Sequence, residues 1–257
     1  MTQTLPKPPD ADPAWAWFLD LDGTLIDIAP TPSAVTVPEP LPHLLTRLSQ
    51  CHDGALAVVS GRSLENLRLL LTPFDPPAAG LHGLECRDAS GGVVRLAPPP
   101  GLDDIRTRLA RAVEDAPGLL LEDKGLALAL HFRQAPEREE SARRAVVAAL
   151  GDNPGFAMLA GKMVFEVKPA GVDKGSAVRS FMTKPPFSGR RPVFVGDDVT
   201  DEYGFRAANE LGGLSVLVGQ PRETAAMFHL DDIEACRGWL ARAAGTEWNA
   251  KTGEGAD

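Results

Sequence analysis

The sequence predicts an α/β fold: a doubly wound parallel sheet interrupted by an inserted α+β domain. Three observations predict it. Apolar runs of strand length alternate with helical stretches at both ends of the chain, which is the rhythm of a parallel sheet with crossover helices. Over residues 84–168 that rhythm gives way to short strand-like pieces and two helical segments. Chemically capable polar residues also follow the core strands directly, where an open parallel sheet gathers its ligands.

In chain order, a strand is expected near 14–20, a helix near 40–50, a strand at "ALAVVS" (55–60) and a helix at "SLENLRLLL" (63–71). The proline-bearing stretches "TPFDPPAAG" (72–80) and "LAPPPG" (96–101) then break the pattern, because proline removes a backbone donor. Strand-like pieces follow at "GGVVRLA", "GLLLED", "GLALALHFR", "GFAMLAG" and "KMVFEVK", with helices near 102–115 and 137–150. The polar break at Lys124-Gly125 predicts a hairpin. After Pro169 the first rhythm returns: helix 173–182, strand 191–196, helix 200–211, strand 214–219 and helical segments to about 243. The expected division is a core from 1–83 and 169–257 with 84–168 inserted.

Composition excludes several classes. The chain of 257 residues is long enough for one large domain or for a core with an insertion. A net charge of −9 argues against a general nucleic-acid or anionic-membrane surface. Cys51, Cys86 and Cys236 are odd in number and widely spaced, so free thiols in a reducing compartment are expected. No apolar run nears the roughly 20 residues of a membrane span, and the N-terminus lacks a signal-peptide core; a cytoplasmic location is expected. Both terminal segments read as flexible ends.

The chemistry begins with "WFLDLDGTLI", where a buried-strand pattern ends in Asp20 and Asp22. Two like charges in that position require a positive partner. Other strand and helix ends supply Ser60-Gly61-Arg62, Lys174, and the acidic "GDDVTD" with Asp197, Asp198 and Asp201. Carboxylates without histidine or cysteine form a hard-oxygen site suited to Mg²⁺. Lys174 and the Ser60 hydroxyl can grip phosphate oxygens, with Gly61 beside them. Asp20 can then attack phosphorus as a covalent nucleophile, and Asp22 can pass a proton to the leaving oxygen and take one from water. Gly23 permits the tight turn and the Thr24 hydroxyl can tie it down. A calcium loop is excluded, since it would need acidic groups where Thr24 and Thr31 stand. Taken singly, each motif has a plain structural reading: a turn, a helix cap, a surface lysine, an acidic helix start.

These stretches together resemble the haloacid dehalogenase superfamily of phosphohydrolases, with its Rossmann-like core and inserted cap. "GLHGLE" (80–85), "LEDKGLALALHFR" (121–133), "FEVKPAGVDKGSAV" (165–178) and "VFVGDDVTDEYGF" (194–205) further resemble the trehalose-6-phosphate phosphatase family. The resemblance implies a Mg²⁺-dependent hydrolysis of trehalose 6-phosphate through an aspartyl-phosphate. In that scheme Asp20 is the nucleophile, Asp22 the acid/base, and Ser60 and Lys174 bind phosphate. Mg²⁺ is held by Asp20, the backbone carbonyl of Asp22 and Asp197, with Asp198 and Asp201 in support. The cap is expected to read the sugar through Glu122, Lys124, His131 and Glu166. Arg62 and His82 also match family stretches; Arg62 is placed among the substrate-binding residues, and residue chemistry alone assigns neither a role. The expected partner is a small phosphorylated disaccharide, with no nucleic acid or membrane, and oligomeric state stays open, a monomer included. The alternatives are another sugar phosphatase acting on sucrose 6-phosphate or a hexose phosphate, a phosphotransfer mutase, and a non-catalytic sugar-phosphate sensor.

Overall fold

A computed structural model describes residues 5–29, 34–114 and 116–248. In chain order the elements are β1 (Trp15–Leu19), α1 (Pro40–Cys51), β2 (Leu56–Val59), α2 (Leu64–Leu71), β3 (Ala78–Gly80), β4 (Glu85–Arg87), β5 (Val93–Arg95), α3 (Leu102–Glu114), β6 (Leu120–Asp123) and β7 (Leu128–His131). They continue with α4 (Glu139–Leu150), β8 (Phe156–Gly161), β9 (Val164–Pro169), α5 (Lys174–Met182), β10 (Arg191–Gly196), α6 (Glu202–Glu210), β11 (Leu214–Val218), β12 (Phe228–Leu230) and α7 (Ile233–Ala243). The chain divides into two compact units. One comprises the segments up to Val94, Asp173–Asp197 and from Asp201 onward; the other is Arg95–Val172 with Asp198–Thr200.

In the first unit an eight-stranded sheet has the order β12-β11-β10-β1-β2-β3-β4-β5. Its pairs are parallel from β12 through β3, and β4 is antiparallel to β3. Both faces of β1 are covered, as its unbroken apolar run demands. Trp15, Trp17 and Leu19 point into a cluster with Leu45 of α1, Leu67 of α2 and Trp239 of α7. Ala16 and Phe18 point the other way, into a cluster with Phe181 of α5 and Phe205 of α6. The rings of Trp15, Trp17 and Trp239 meet at centroid separations of 5.1–6.2 Å. From β1 the chain moves to β2 on one side, while β10 lies on the other. This change of direction opens a crevice beyond the carboxyl ends of β1 and β10.

The second unit contains a four-stranded antiparallel sheet, β6-β7-β9-β8. Leu128, Leu130, Phe165 and Val167 join Ile105 and Leu109 of α3 and Ala142 and Val146 of α4 in its apolar cluster. Alternation places Glu122, Ala129 and Glu166, which lie in register across β6, β7 and β9, on the opposite face. The hairpin at Lys124-Gly125 is present: Lys124 N donates to Ala127 O at 2.9 Å, and Gly125 takes the positive φ of +77° that the turn needs.

Three expectations need correction. Residues 84–94, expected in the insertion, belong to the first unit, because β4 pairs with β3 and extends the core sheet. The loop expected at 72–80 contains β3. Its flanking prolines donate nothing but still accept, Pro77 O from Val58 N at 3.1 Å and Pro76 O from the buried Arg87 side chain at 2.7 Å. The ends are also docked where they are described: His229 N donates to Pro6 O and Trp239 Nε1 to Pro9 O, both at 2.9 Å, and Trp248 Nε1 donates to Glu234 at 2.8 Å. The outermost residues, 1–4 and 249–257, lie outside the described residues. Among the described residues no helix is long and apolar enough to cross a membrane.

Candidate active site

Asp20 follows β1 directly, and its backbone N–H continues the strand by donating to Val195 O of β10 at 2.9 Å. The residue is buried. Lys174, the first residue of α5, reaches it with Nζ 2.7 Å from Asp20 Oδ1 and 2.6 Å from Asp201 Oδ1. The start of α5 is fixed by a capping box between Asp173 and Ser176, which stabilises the helix end that carries the lysine. Asp20, Asp197 and Asp201 each present a carboxylate oxygen, and these oxygens lie within 4.8 Å of one another. Burial foremost, and then the Asp201 and Asp197 carboxylates, push the Asp20 carboxyl well above its usual range against the opposing pull of Lys174. Burial works against the Lys174 charge, but Asp20 and Asp201 overcome it and hold the ammonium protonated.

The glycines here are dictated by crowding. Gly23 has φ +85°, and a side chain on it would collide with the Asp197 carboxylate; one on Gly196 would strike Asp201. Thr24 Oγ1 lies 3.3 Å from Asp20 and 3.4 Å from Asp197, bridging the two acidic loops with long bonds. Asp201 Oδ2 accepts from Asp197 N at 3.0 Å, so it is tied into both the trio and its backbone. Asp198 accepts through Oδ1 from Val199 N at 2.7 Å and through Oδ2 from Lys162 N at 3.3 Å. Of the two residues expected in support, Asp201 lies inside the acidic cluster. All donors in the trio are carboxylate oxygens, which fits a hard divalent cation.

Asp22 takes a different environment. Arg62 Nε and Nη2 each donate to one of its oxygens at 2.6 Å, and Arg62 Nη1 donates to Asn66 Oδ1 at 2.6 Å. Ser60 is buried at the end of β2, and its hydroxyl accepts from Arg62 N at 3.2 Å. The "GLHGLE" stretch braces this loop: Leu81 N donates to Arg62 O at 2.8 Å, His82 N to Ser60 O at 2.9 Å, and Glu85 Oε2 accepts from Leu64 N at 2.9 Å. A side chain on Gly80 would come 2.8 Å from Arg62 O, and Leu81 and His82 both adopt positive φ. Such strain persists only where surroundings enforce it.

In the second unit, His131 Nε2 lies 2.8 Å from Glu122 Oε2, and Lys124 Nζ donates to Glu166 Oε1 at 2.6 Å. The Lys124–Glu166 pair is nearly buried.

Sequence reasoning missed Asn66, Glu202 and Arg222. Asn66 follows Arg62 by four residues, a separation that brings side chains together at a helix start. Glu202 accepts from Arg222, from Thr224 Oγ1 at 2.7 Å and from Ala225 N at 2.8 Å, while Arg222 Nη2 reaches Asp197 O at 3.5 Å. That link spans 25 residues between Asp197 and Arg222, and no local pattern announces it.

The sequence model of the trehalose-phosphatase family matches residues 18–234. A probable trehalose-phosphate phosphatase of Sinorhizobium fredii is 45% identical over 232 residues, covering 90% of this chain and 88% of that protein. The trehalose-6-phosphate phosphatase of Escherichia coli is 42% identical over 241 residues, covering 93% and 90%. The fold is shared with the C-terminal domain of the Candida albicans trehalose-6-phosphate phosphatase, at a TM-score of 0.80 and 24% identity over 90% of this chain and 92% of that one. An acidic trio locked to a buried lysine at the carboxyl end of a parallel sheet thus stands in a sequence matched along most of its length, and the chain belongs to the trehalose-phosphatase family.

Proposed function

We infer that this chain is a phosphoric monoester hydrolase that converts trehalose 6-phosphate to trehalose and inorganic phosphate. The observation that carries the reading is the buried Asp20–Lys174–Asp201 bridge with Asp197 beside it. An ion pair serving only stability would not gather three carboxylates around a lysine that bonds two of them, since like charges so close are costly.

Asp20 is the nucleophile: one of its oxygens bonds to phosphorus as the bond from phosphorus to the sugar oxygen breaks. Asp22 gives its proton to that departing oxygen. It then takes a proton from the water that attacks the aspartyl-phosphate, which frees phosphate and restores the Asp20 carboxylate. Lys174 and Ser60, with Gly61, hold phosphate oxygens, and Lys174 also orients Asp20. Asp20, Asp197 and Asp201, with the backbone carbonyl of Asp22, would hold Mg²⁺, which when bound offsets charge on the transferring phosphoryl group. The second unit acts as the sugar-reading cap, through the polar sheet face bearing Glu122, Lys124, His131 and Glu166. Charged partners that already orient one another suit a neutral, hydroxyl-rich ligand.

The test is phosphate release in Mg²⁺ across trehalose 6-phosphate, sucrose 6-phosphate, glucose 6-phosphate and mannose 6-phosphate. Trehalose 6-phosphate is expected to give the highest kcat/KM by at least about 10²; equal rates on all four overturn the substrate assignment. Asp20→Asn is expected to lower turnover by about 10⁴ or more with an unchanged melting temperature. Retained turnover would exclude Asp20 as nucleophile.

A further inference from the structure

The Asp22 carboxylate is the proton carrier in the reading above, and its position depends on residues outside the family motif at 20–24. Both of its oxygens are taken by one guanidinium in a fork, each bond 2.6 Å long. The third contact of that guanidinium is Asn66 Oδ1, also at 2.6 Å. Asn66 is held in turn by its own backbone N–H, which donates to the Ser63 Oγ cap at the start of α2. The Arg62 backbone is clamped on both sides, its N–H on Ser60 Oγ and its C=O under Leu81 N. The Arg62 side chain is only 10% exposed, against 31% for Asp22.

We propose that Arg62 and Asn66 are a positioning pair: Asn66 fixes the plane of the Arg62 guanidinium, and that plane fixes the rotation of the Asp22 carboxyl group towards the leaving oxygen. This rests on the assignment of Asp22 as acid and base. A planar fork sets carboxylate orientation as well as distance, which a lysine cannot do. A carboxylate has about four acceptor sites; the fork occupies one on each oxygen and leaves one on each for the transferred proton. Arg62 directly follows the Ser60-Gly61 phosphate loop, so the group that grips phosphate and the group that delivers the proton are built from one braced piece of chain. The arginine acts through Asp22, not on the substrate.

The deciding experiment is single-turnover release of the leaving group in Mg²⁺, before the shared hydrolysis of the aspartyl-phosphate, with two substrates. Trehalose 6-phosphate expels an alkoxide that needs the proton. p-Nitrophenyl phosphate expels a stabilised phenolate that does not. Asn66→Ala is expected to slow trehalose release by about 10-fold, part of the 10²–10⁴ that acid catalysis supplies, and to change p-nitrophenolate release less than about twofold. Asn66→Asp keeps the acceptor oxygen and is expected to restore the sugar rate. Arg62→Lys, which keeps the charge but loses the fork, is expected to show the same substrate split as Asn66→Ala and serves if the latter misfolds. Equal slowing of both substrates, no slowing, or a change confined to KM overturns the positioning role. Asp22→Asn separates the two layers. If it splits the substrates and the Asn66 and Arg62 variants do not, only the positioning pair falls; if Asp22→Asn itself shows no split, the acid assignment falls and takes the pair with it.

Discussion

The two polar clusters of this protein manage charge in opposite ways. Around Asp20, three carboxylates converge and Lys174 bonds two of them, so that lysine alone leaves negative charge in excess. On the second unit's sheet, each carboxylate faces its own basic neighbour, Glu122 with His131 and Glu166 with Lys124. The first arrangement is of the kind a hard divalent cation would complete. The second gives each carboxylate one basic neighbour, and what it can offer a ligand is oriented hydrogen bonds. The two clusters thus differ in how far their carboxylates outnumber their basic partners.

That contrast can be broken experimentally, beginning with the paired cluster. Lys124→Ala removes the basic partner of the nearly buried Glu166 and should cost about 3 kcal/mol of stability, the range for breaking a buried pair. The double variant Lys124→Met with Glu166→Leu removes both charges and keeps the volume, so denaturant melts should lie within about 1 kcal/mol of wild type while KM for trehalose 6-phosphate rises about 10-fold. If the double variant is as unstable as the single, the two residues are not a self-neutralising pair. The unbalanced cluster should respond with the opposite sign. In metal-free protein, Asp197→Asn removes a like charge from beside Asp20 and is expected to raise stability by about 1 kcal/mol, while calorimetry shows Mg²⁺ binding weakened by more than about 10-fold. A destabilised metal-free Asp197→Asn would erase the contrast.

The smallest effect is a pH dependence in the second unit. Burial pushes the Glu122 carboxyl up, but the His131 hydrogen bond and the Lys124 charge outweigh it, and the net result lies below its ordinary value of 4.5. A depressed carboxyl contributes stability that is fully present above the ordinary value and is lost as pH falls through the lower folded value. Melting temperatures measured between about pH 3 and 7 should therefore fall less steeply at the acid end for Glu122→Gln than for wild type. Identical acid limbs would show that Glu122 is not held ionised by its neighbours.

Much of this was legible because the core strands are short, apolar and followed at once by their chemistry. Asp20, Lys174 and Asp197 stand at element ends, where period and punctuation are strongest. The antiparallel sheet was readable from its hairpin at Lys124-Gly125 for the same reason. Other features resisted for definite causes. The strand at 78–80 has three residues and follows two prolines, so neither length nor composition signals it; it exists because Val58 and Arg87 use the proline carbonyls. Asp198 and Asp201 are alike as sequence, yet Asp201 is fully buried in the acidic trio and Asp198 is only half-buried. The Arg62–Asp22 fork joins residues 40 apart, and the docking of Pro6 and Pro9 spans more than 200 residues. Contacts of that reach come from packing and leave no periodic trace in the sequence.

The tryptophan cluster has a spectroscopic consequence. All four tryptophans, Trp15, Trp17, Trp239 and Trp248, and the single tyrosine, Tyr203, belong to the first unit. Intrinsic near-ultraviolet emission is therefore blind to the sheet that carries Glu122 and Glu166. An unfolding curve followed by fluorescence will report the first unit, and any divergence from a backbone-sensitive signal such as far-ultraviolet dichroism measures how independently the second unit melts.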